Sequence, residues 1–474
     1  MNKLLKILLI SIGGLVLLLA VAAASVIFLF DPNEYKPQLQ AAASEALGMQ
    51  VNVKGSMAIR FYPGLRLAIQ DVEIIDNKSE LVAVEEIRVG LELLPLLQKQ
   101  YHIKSVSLLR PVVSLESGAA VSKQKGAEGE VPAVELAKIS ILDGAFSYLD
   151  KQSGEKLSAK DCDITVRNLN FGAGKAELIN RLSFRSSLHC GTVNAKPFAV
   201  TNVKLSLNAK DGVFDVKPIT LNLLGGEGSG DMSADYSSAT PKYKVRFALP
   251  HFAIDELLKT LSSEVILAGP VSFSMDLSLQ GKSAKQIERS TSGSVVLQGK
   301  SLKLHGYDLD TVFSRFESSQ SFNLLDMGAL LVAGPAGVAL TKGKDFAGIL
   351  TGAEGETSIT NLVTRWKVKQ GVMHASDVAM ATAKHRVALL GGIDVAGGRF
   401  ADITVALIDS KGCAQVQQKI DGPFNKPVMQ QPSAVKAVAA PVLNVFKKGK
   451  DLLAGDDCKV IYSGEVTVPS AAAK

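Results

Sequence analysis

The chain predicts a mainly β protein, with an N-terminal transmembrane helix followed by a mostly antiparallel sheet and a few short helices. Three observations carry that prediction. Apolar residues alternate with polar ones at period two in segments spread over most of the chain. Short Gly- and Asp-containing turn signals separate these segments, which favours hairpin connections over long crossovers. Residues 4–30 form an apolar run whose single charge is Lys6, near its start.

As a helix at about 1.5 Å per residue, that run exceeds the roughly 30 Å hydrocarbon core of a bilayer. Lys3 and Lys6 stand at its head and Asp31 and Glu34 follow it, so the positive-inside rule leaves the N-terminus cytoplasmic and exports everything from Asp31 onward. The alternative is a cleaved signal peptide, for which Ala22 and Ala24 would supply the small residues. Val26 to Phe30 continue past that cut, and the run outgrows the usual h-region, so a retained single-pass anchor is the better reading. The expected location is a bacterial inner membrane, with the bulk of the chain periplasmic.

After the anchor, Asp31-Pro32-Asn33 offers a helix start, Tyr35 to Leu47 reads as a helix, and Gly48 suits its end. The period then becomes two. Val51, Val53, Met57, Ile59 and Phe61 alternate, Pro63-Gly64 turns, and Leu65, Leu67 and Ile69 resume. Val89 and Leu91 continue the pattern, which recurs at Val203/Leu205/Leu207, Val271 to Leu279, Val387 to Val395, Ile403 to Leu407 and Val466/Val468. Turns are expected at Asp143-Gly144, Asp211-Gly212, Gly225 to Gly228, Gly281-Lys282-Ser283 and Gly397-Gly398.

Further helices are expected at Asp255–Ser262 and, amphipathic and basic, at Ser433–Leu453. The latter packs across a sheet end or lies on a membrane surface. Gly118 to Ala133 reads as a flexible polar loop and the best internal boundary. Leu324 to Leu340 is too short and too interrupted, by Asp326 and Gly334-Pro335, to be a second span, and reads as buried protein. The expected organisation is an anchor (1–30), a helix with the first strands (31–117), the loop (118–133), a middle β region (134–298) and a C-terminal β region (299–474).

Composition narrows the function classes. The net charge of +6 is spread along the chain, with no basic stripe interleaved with aromatics, which argues against nucleic acid. Four cysteines in an exported chain suggest disulfides. Of three possible connectivities, Cys413–Cys458 and Cys162–Cys190 join neighbours in sequence and are favoured. No C-x-x-C is present, which speaks against a metal site. Gly293 to Ser301 imitates a phosphate loop but places five residues between the glycines where four are needed, and its interior alternates like a strand. The six histidines form no ligand spacing, and there is neither H-E-x-x-H nor G-x-S-x-G. A non-enzymatic protein without metal or cofactor is expected.

Several ordered stretches are similar to the AsmA family of inner-membrane-anchored periplasmic proteins. They begin at Phe30-Asp31-Pro32-Asn33-Glu34-Tyr35-Lys36-Pro37 and continue through Tyr62-Pro63-Gly64-Leu65 and Leu93-Leu94-Pro95-Leu96-Leu97 to Arg110-Pro111. They return at Leu302 to Asp310, Met327 to Gly343, Trp366 to Ala383 and Gly412 to Pro427, and end at Tyr462 to Pro469. The resemblance implies a role in outer-membrane biogenesis and kinship with bridge-like lipid-transfer proteins, whose elongated, curved sheet forms an apolar groove. It makes Val51, Val53, Ile59, Phe61, Leu65, Leu67, Ile69, Val89 and Leu91 the candidate groove residues. The implied partners are a phospholipid or other acyl lipid, the inner membrane through residues 4–30, and outer-membrane or periplasmic proteins. About 20 strands at 4.7–4.9 Å would give a path of roughly 100 Å. The competing expectation is an assembly factor that affects outer-membrane protein insertion or lipopolysaccharide levels through protein contacts. A periplasmic hydrolase is a third.

Overall fold

A computed structural model describes residues 31–60, 64–76, 79–92, 103–116, 134–171, 178–261, 267–306, 308–311, 313–314, 355–430, 433–434, 458 and 460–469. The anchor at 4–30, the loop at 118–133, the apolar run at 324–340 and most of the 433–453 helix lie outside these residues. Among the described residues no helix is long and apolar enough to cross a membrane. The protein is mainly β, with twenty-three strands and a few short helices in the described part. It divides into two compact units, residues 1–196 with 202–211, and residues 197–201 with 212–474. That division falls near residue 200 rather than at the 118–133 loop.

The first unit opens with Asp31, whose side chain accepts from the Asn33 N–H and caps a 3-10 turn at Pro32–Tyr35. Helix α1 (Lys36–Leu47) follows and ends on Gly48 at φ 66°, the left-handed geometry that glycine adopts without a Cβ clash. Strands β1 (Gln50–Val53) and β2 (Met57–Arg60) both pair antiparallel with β3 (Arg66–Asp76). The other edge of β1 and β2 is occupied by side chains. Asn33 Oδ1 accepts from the Met57 N–H at 2.8 Å and Asn33 Nδ2 donates to the Met57 carbonyl at 3.2 Å. Lys36 Nζ donates to the Gly55 carbonyl at 2.7 Å, and Ser44 Oγ accepts from the Val51 N–H at 2.9 Å. The Asp31 to Lys36 stretch therefore satisfies edge groups that would otherwise invite another strand.

Strand β4 (Ser79–Leu91) pairs with β3, and its far side takes β5 (Ile103–Leu109) and β6 (Val112–Glu116) end to end. Both then pair parallel with β7 (Val134–Leu149), so the sheet is mixed and the expected meander is broken at this junction. Strands β8 (Lys156–Phe171) and β9 (Leu182–Ala195) return to antiparallel pairing, separated by the short helix α2 (Leu178–Arg181). Strand β10 (Phe198–Lys210) pairs with β9. Asp143-Gly144, expected to turn, lies inside β7. Asp143 takes φ 55° and the register shifts there, so the dipeptide makes a bulge. Turns and bulges call on the same left-handed residue, which is why the sequence alone could not separate them. Cys162 and Cys190 are register partners on β8 and β9 and form a disulfide.

In the second unit, β11 (Val213–Leu223), β12 (Gly226–Asp235) and β13 (Lys242–Ala253) form an antiparallel run. Leu224 and Gly225 make the β11–β12 turn with φ 53° and 79°, so Gly226 and Gly228, also expected to turn, belong to the strand. Helix α3 (Ile254–Leu261) matches the expected helix and buries Ile254 and Leu258 in the core. Strands β14 (Leu267–Ala268) and β15 (Pro270–Gln280) lead to α4 (Ala284–Ser290), a helix the sequence analysis missed. Ser283, expected in a turn, is its N-cap and accepts from the Gln286 N–H. The phosphate-loop imitation lies in β16 (Ser292–His305), as its alternation indicated.

Strands β17 (Glu356–Lys369), β18 (Val372–Ala381), β19 (Arg386–Asp394), β20 (Arg399–Ile408) and β21 (Ala414–Pro423) complete the antiparallel order. The short β22 (Val428–Met429) and β23 (Ser433–Ala434) pair with β21. Ser433 and Ala434 are thus strand, not the start of the expected helix.

Both faces of β17 to β20 are buried. One carries Trp366, Val378, Leu389 and Val405, in a core that includes α3 and the helical residues Leu309 and Phe313. The other carries Val363, Ala379, Ala388 and Ala406 beneath Tyr462 and Val466 of the C-terminal segment. The Cys413–Cys458 disulfide holds the entry of that segment, with Cα atoms 5.9 Å apart. Asp409 lies beside this pair, and its carboxylate accepts from the N–H groups of Lys411 and Cys413.

Buried Asp377 fastens the segment. It accepts from the Tyr462 hydroxyl at 2.6 Å and the Glu465 N–H at 3.2 Å, and faces Arg365 at 3.4 Å. The Tyr462 oxygen in turn accepts from the Val466 N–H. Burial, then the Asp377 carboxylate, pushes the Tyr462 hydroxyl well above the usual phenol range. Asp310 binds His385 and Thr382 in a second, partly buried polar cluster. Burial opposes the Asp310 charge, yet the His385 and Thr382 hydrogen bonds outweigh it and hold the carboxyl below its ordinary value.

Tyr462→Phe should destabilise the folded chain by about 1–3 kcal/mol, because it leaves a buried carboxylate and the Val466 N–H short of partners. Urea unfolding would check this as a lower midpoint at unchanged slope. Asp310 is more acidic folded than unfolded, so its contribution is present above the unfolded value near ~3.9 and is lost as pH falls through the folded value. Asp310→Asn should therefore flatten the loss of stability below about pH 4, read from thermal midpoints against pH.

Candidate functional site, an apolar sheet face

Register partners across a sheet share a face, so the pairings define what each face presents. In the first unit one such row runs Ile59, Leu67, Val89, Val106, Ile139, Val166 from β2 to β8. A parallel row runs Met57, Ile69, Ile87, Leu108, Ile141, Ile164 and Leu188. Towards the other strand ends, Val113 stands by Phe146 and Ala159, and Leu115 by Tyr148 and Leu157. The residues between these belong to the opposite face, where Arg88, Ser107, Ser140, Thr165 and Ser187 align. One face is apolar across seven strands and the other is polar.

Cover on the apolar face is uneven. Leu39 and Ala43 of α1 pack on Val51, Val53, Met57, Ile69 and Val72, all buried. Beyond the helix the face is half-buried, and its far row is open, with Leu115 44%, Tyr148 40% and Leu157 46% exposed. Isolated exposed apolar residues are ordinary, but three register neighbours make a contiguous patch.

The sequence-predicted residues divide accordingly. Val51, Val53 and Ile69 sit under α1, while Ile59, Leu65, Leu67, Val89 and Leu91 are half-buried on the sheet. Phe61 lies outside the described residues. The larger part of the face, from Val106 to Leu188, was not predicted. Its signal was present as Ile139/Ile141 and Ile164/Val166, but reading Asp143-Gly144 as a turn cut β7, one of two 16-residue strands, in two.

The second unit repeats the design. Val216, Met232, Val245 and Leu277 align, as do Phe247, Met275, Val295 and Trp366. Gly228 and Gly230 lie in the same face, and a Cβ on Gly228 would collide with Phe247 and Leu221, so the missing side chains let larger neighbours lie flat. At one end Phe214, Tyr236 and Tyr243 form an edge-to-face aromatic cluster, with centroids 5.8 and 6.0 Å apart. A hydrogen bond with Tyr236 holds the Tyr243 phenol above its usual range. Burial is partial over most of β11 to β15, with Leu249, Phe252 and Val271 among the exceptions, and becomes the rule from Trp366 onward, where Met373, Ala375 and Phe400 stay partly buried.

Such a face offers dispersion contacts and water exclusion to an apolar ligand, at about 25 cal/mol per Å² removed from water. Comparison with curated proteins returns no match. The model of the AsmA family matches residues 1–170 and 127–378, which span the capped helix, both sets of apolar rows and the strands up to β18. With the match covering well over half of its length, the chain belongs to the AsmA family.

Proposed function

We propose that this protein is an inner-membrane-anchored periplasmic lipid-binding and lipid-transfer protein that supports outer-membrane biogenesis by moving phospholipid along its apolar sheet faces. One observation carries the reading. A fold that keeps Val51 and Met57 beneath a helix leaves Leu115, Tyr148 and Leu157 uncovered on the same face of the same unit. Acyl chains suit that vacant side. Each methylene taken from water contributes about 0.8 kcal/mol, and hydrocarbon makes no demand for hydrogen bonds that the face could not meet. The headgroup stays in water at the strand ends. Family membership supports the same role in general terms, and the apolar segment at residues 4–30 supplies the tether.

Native mass spectrometry of the full chain, released gently from detergent, should find phospholipid adducts. Repeated preparations that are folded and lipid-free would sink the reading. Photo-crosslinkers at Ile139, Ile164 and Leu157 should capture lipid, while one at Val53 should capture α1. Capture of a second protein at the first three positions would favour an assembly factor instead.

Ile139→Glu places a charge on the half-buried part of the face. It should reduce co-purifying lipid by roughly tenfold or more, since a buried carboxylate opposes acyl contact by several kcal/mol. Circular dichroism should show the fold retained. Unchanged lipid content in a folded variant would contradict the proposal.

A further inference from the structure

The polar face of the first unit carries a feature that sheet stability does not explain. Lys138, Arg167 and Arg185 are consecutive register partners on β7, β8 and β9. They alternate with Ile139, Val166 and Ser186 and so stand on the face opposite the apolar rows. All three are exposed, and none makes an ion pair among the described residues.

Directly opposed side chains in a sheet have Cβ atoms about 4.5–5.5 Å apart, and like charges there repel. Four other cations of this unit have acid partners. Lys54 pairs with Glu73, Arg88 with Glu86, Arg110 with Glu85 and Lys151 with Glu116. The row next to the three cations is hydroxylic, with Ser140, Thr165 and Ser187 as register partners. The carboxylate of Asp163, one row further on, is engaged with the Asp143 N–H at 3.0 Å. Glu135, opposite Asn170, is the nearest acid in the other direction.

From this juxtaposition we infer that Lys138, Arg167 and Arg185 form an oxyanion-binding ladder for a phosphate-bearing ligand. Two guanidinium groups and an ammonium on adjacent strands about 4.8 Å apart can share a phosphate between neighbours, with bidentate Arg contacts and the Thr165 and Ser187 hydroxyls alongside, Ser140 being buried. A protein partner fits less well. Interface centres are built on aromatic and apolar anchors beside their arginines, and these rows hold arginines but no such anchor. The ladder faces away from the acyl-binding rows, so it is a second site, independent of the function proposed above.

The test uses the full chain in neutral detergent and reads thermal midpoints and binding against inorganic pyrophosphate. A parallel series uses micelles doped with phosphatidylglycerol or with phosphatidylcholine. The variants are Arg167→Gln/Arg185→Gln, Lys138→Gln, and Lys367→Gln/Lys369→Gln as a charge-matched control on exposed residues of β17. Wild type should bind pyrophosphate or phosphatidylglycerol, weakening steeply as salt rises. The arginine double variant should lose about tenfold or more in affinity, as expected for losing charge-assisted bidentate contacts. Lys138→Gln should lose less, and the control should match wild type.

Without ligand at low salt, the double variant should melt no lower than wild type, because repulsion is relieved. A response to pyrophosphate identifies a soluble phosphate ligand, and a response only to phosphatidylglycerol identifies a lipid headgroup. No salt-dependent response of wild type to either, or equal responses in the double variant and the control, would overturn the inference. The wild-type salt series decides even if a variant fails to fold. The pyrophosphate arm is unaffected by whether acyl lipid binds the opposite face.

Discussion

The whole arrangement rests on register. With a side-chain period of two, a slip of one residue between neighbouring strands would exchange every apolar side chain for a polar one. Long strands make this harder, because their twist and curvature must be accommodated without losing the face. The protein meets the constraint with bulges at residues of left-handed backbone. Ile69 and Val72 are three apart yet both pack in one cluster, and Asp71 between them takes φ 51°. The same triple step recurs at Leu249 and Phe252 around His251, where the register with β15 shifts. Each bulge bends its strand and restores the apolar face beyond it.

The two units then differ in what they do with that face. In the first, α1 closes only the start, through Leu39 and Ala43, and Asn33, Lys36 and Ser44 close the adjoining edge. In the second, most of the face is buried from Trp366 onward, and the reverse face is sealed by Tyr462 and Val466. That seal is polar at its centre. Asp377 is buried with the Tyr462 hydroxyl and the Glu465 N–H as donors, and Arg386 donates to the Val466, Asp409 and Ser410 carbonyls. Such a network fixes the segment in one place, since any shift would strand buried polar groups.

How much of this could be read from the sequence follows from the same physics. Alternation at Val51/Val53, Leu67/Ile69 and Ile403/Val405/Leu407 was legible because no bulge interrupts it. Helix α3 was legible because Ile254, Leu257, Leu258 and Leu261 repeat at helical spacing, and the cysteine pairs because their spacing was local. The parallel entry of β7 was hidden, since nothing local distinguishes a strand that pairs parallel from one that pairs antiparallel. Helix α4 was hidden because its sequence, Ala-Lys-Gln-Ile-Glu-Arg-Ser, has a single large apolar residue to set a period. The cation ladder was also invisible, because Lys138, Arg167 and Arg185 meet only through register.

On the lipid-transfer reading, sameness along the face matters more than affinity at any one point. The row from Ile59 through Leu67, Val89, Val106 and Ile139 to Val166 substitutes one aliphatic side chain for another at each strand. A step of about 4.8 Å to the next strand therefore exchanges nearly equal contacts. Differences between Ile, Leu and Val amount to about one methylene, or ~0.8 kcal/mol, comparable to thermal energy. A deep pocket would hold an acyl chain more tightly and release it more slowly. A row of interchangeable β-branched and leucine side chains holds it everywhere about equally, so that movement along the row meets only small barriers and needs no reactive group.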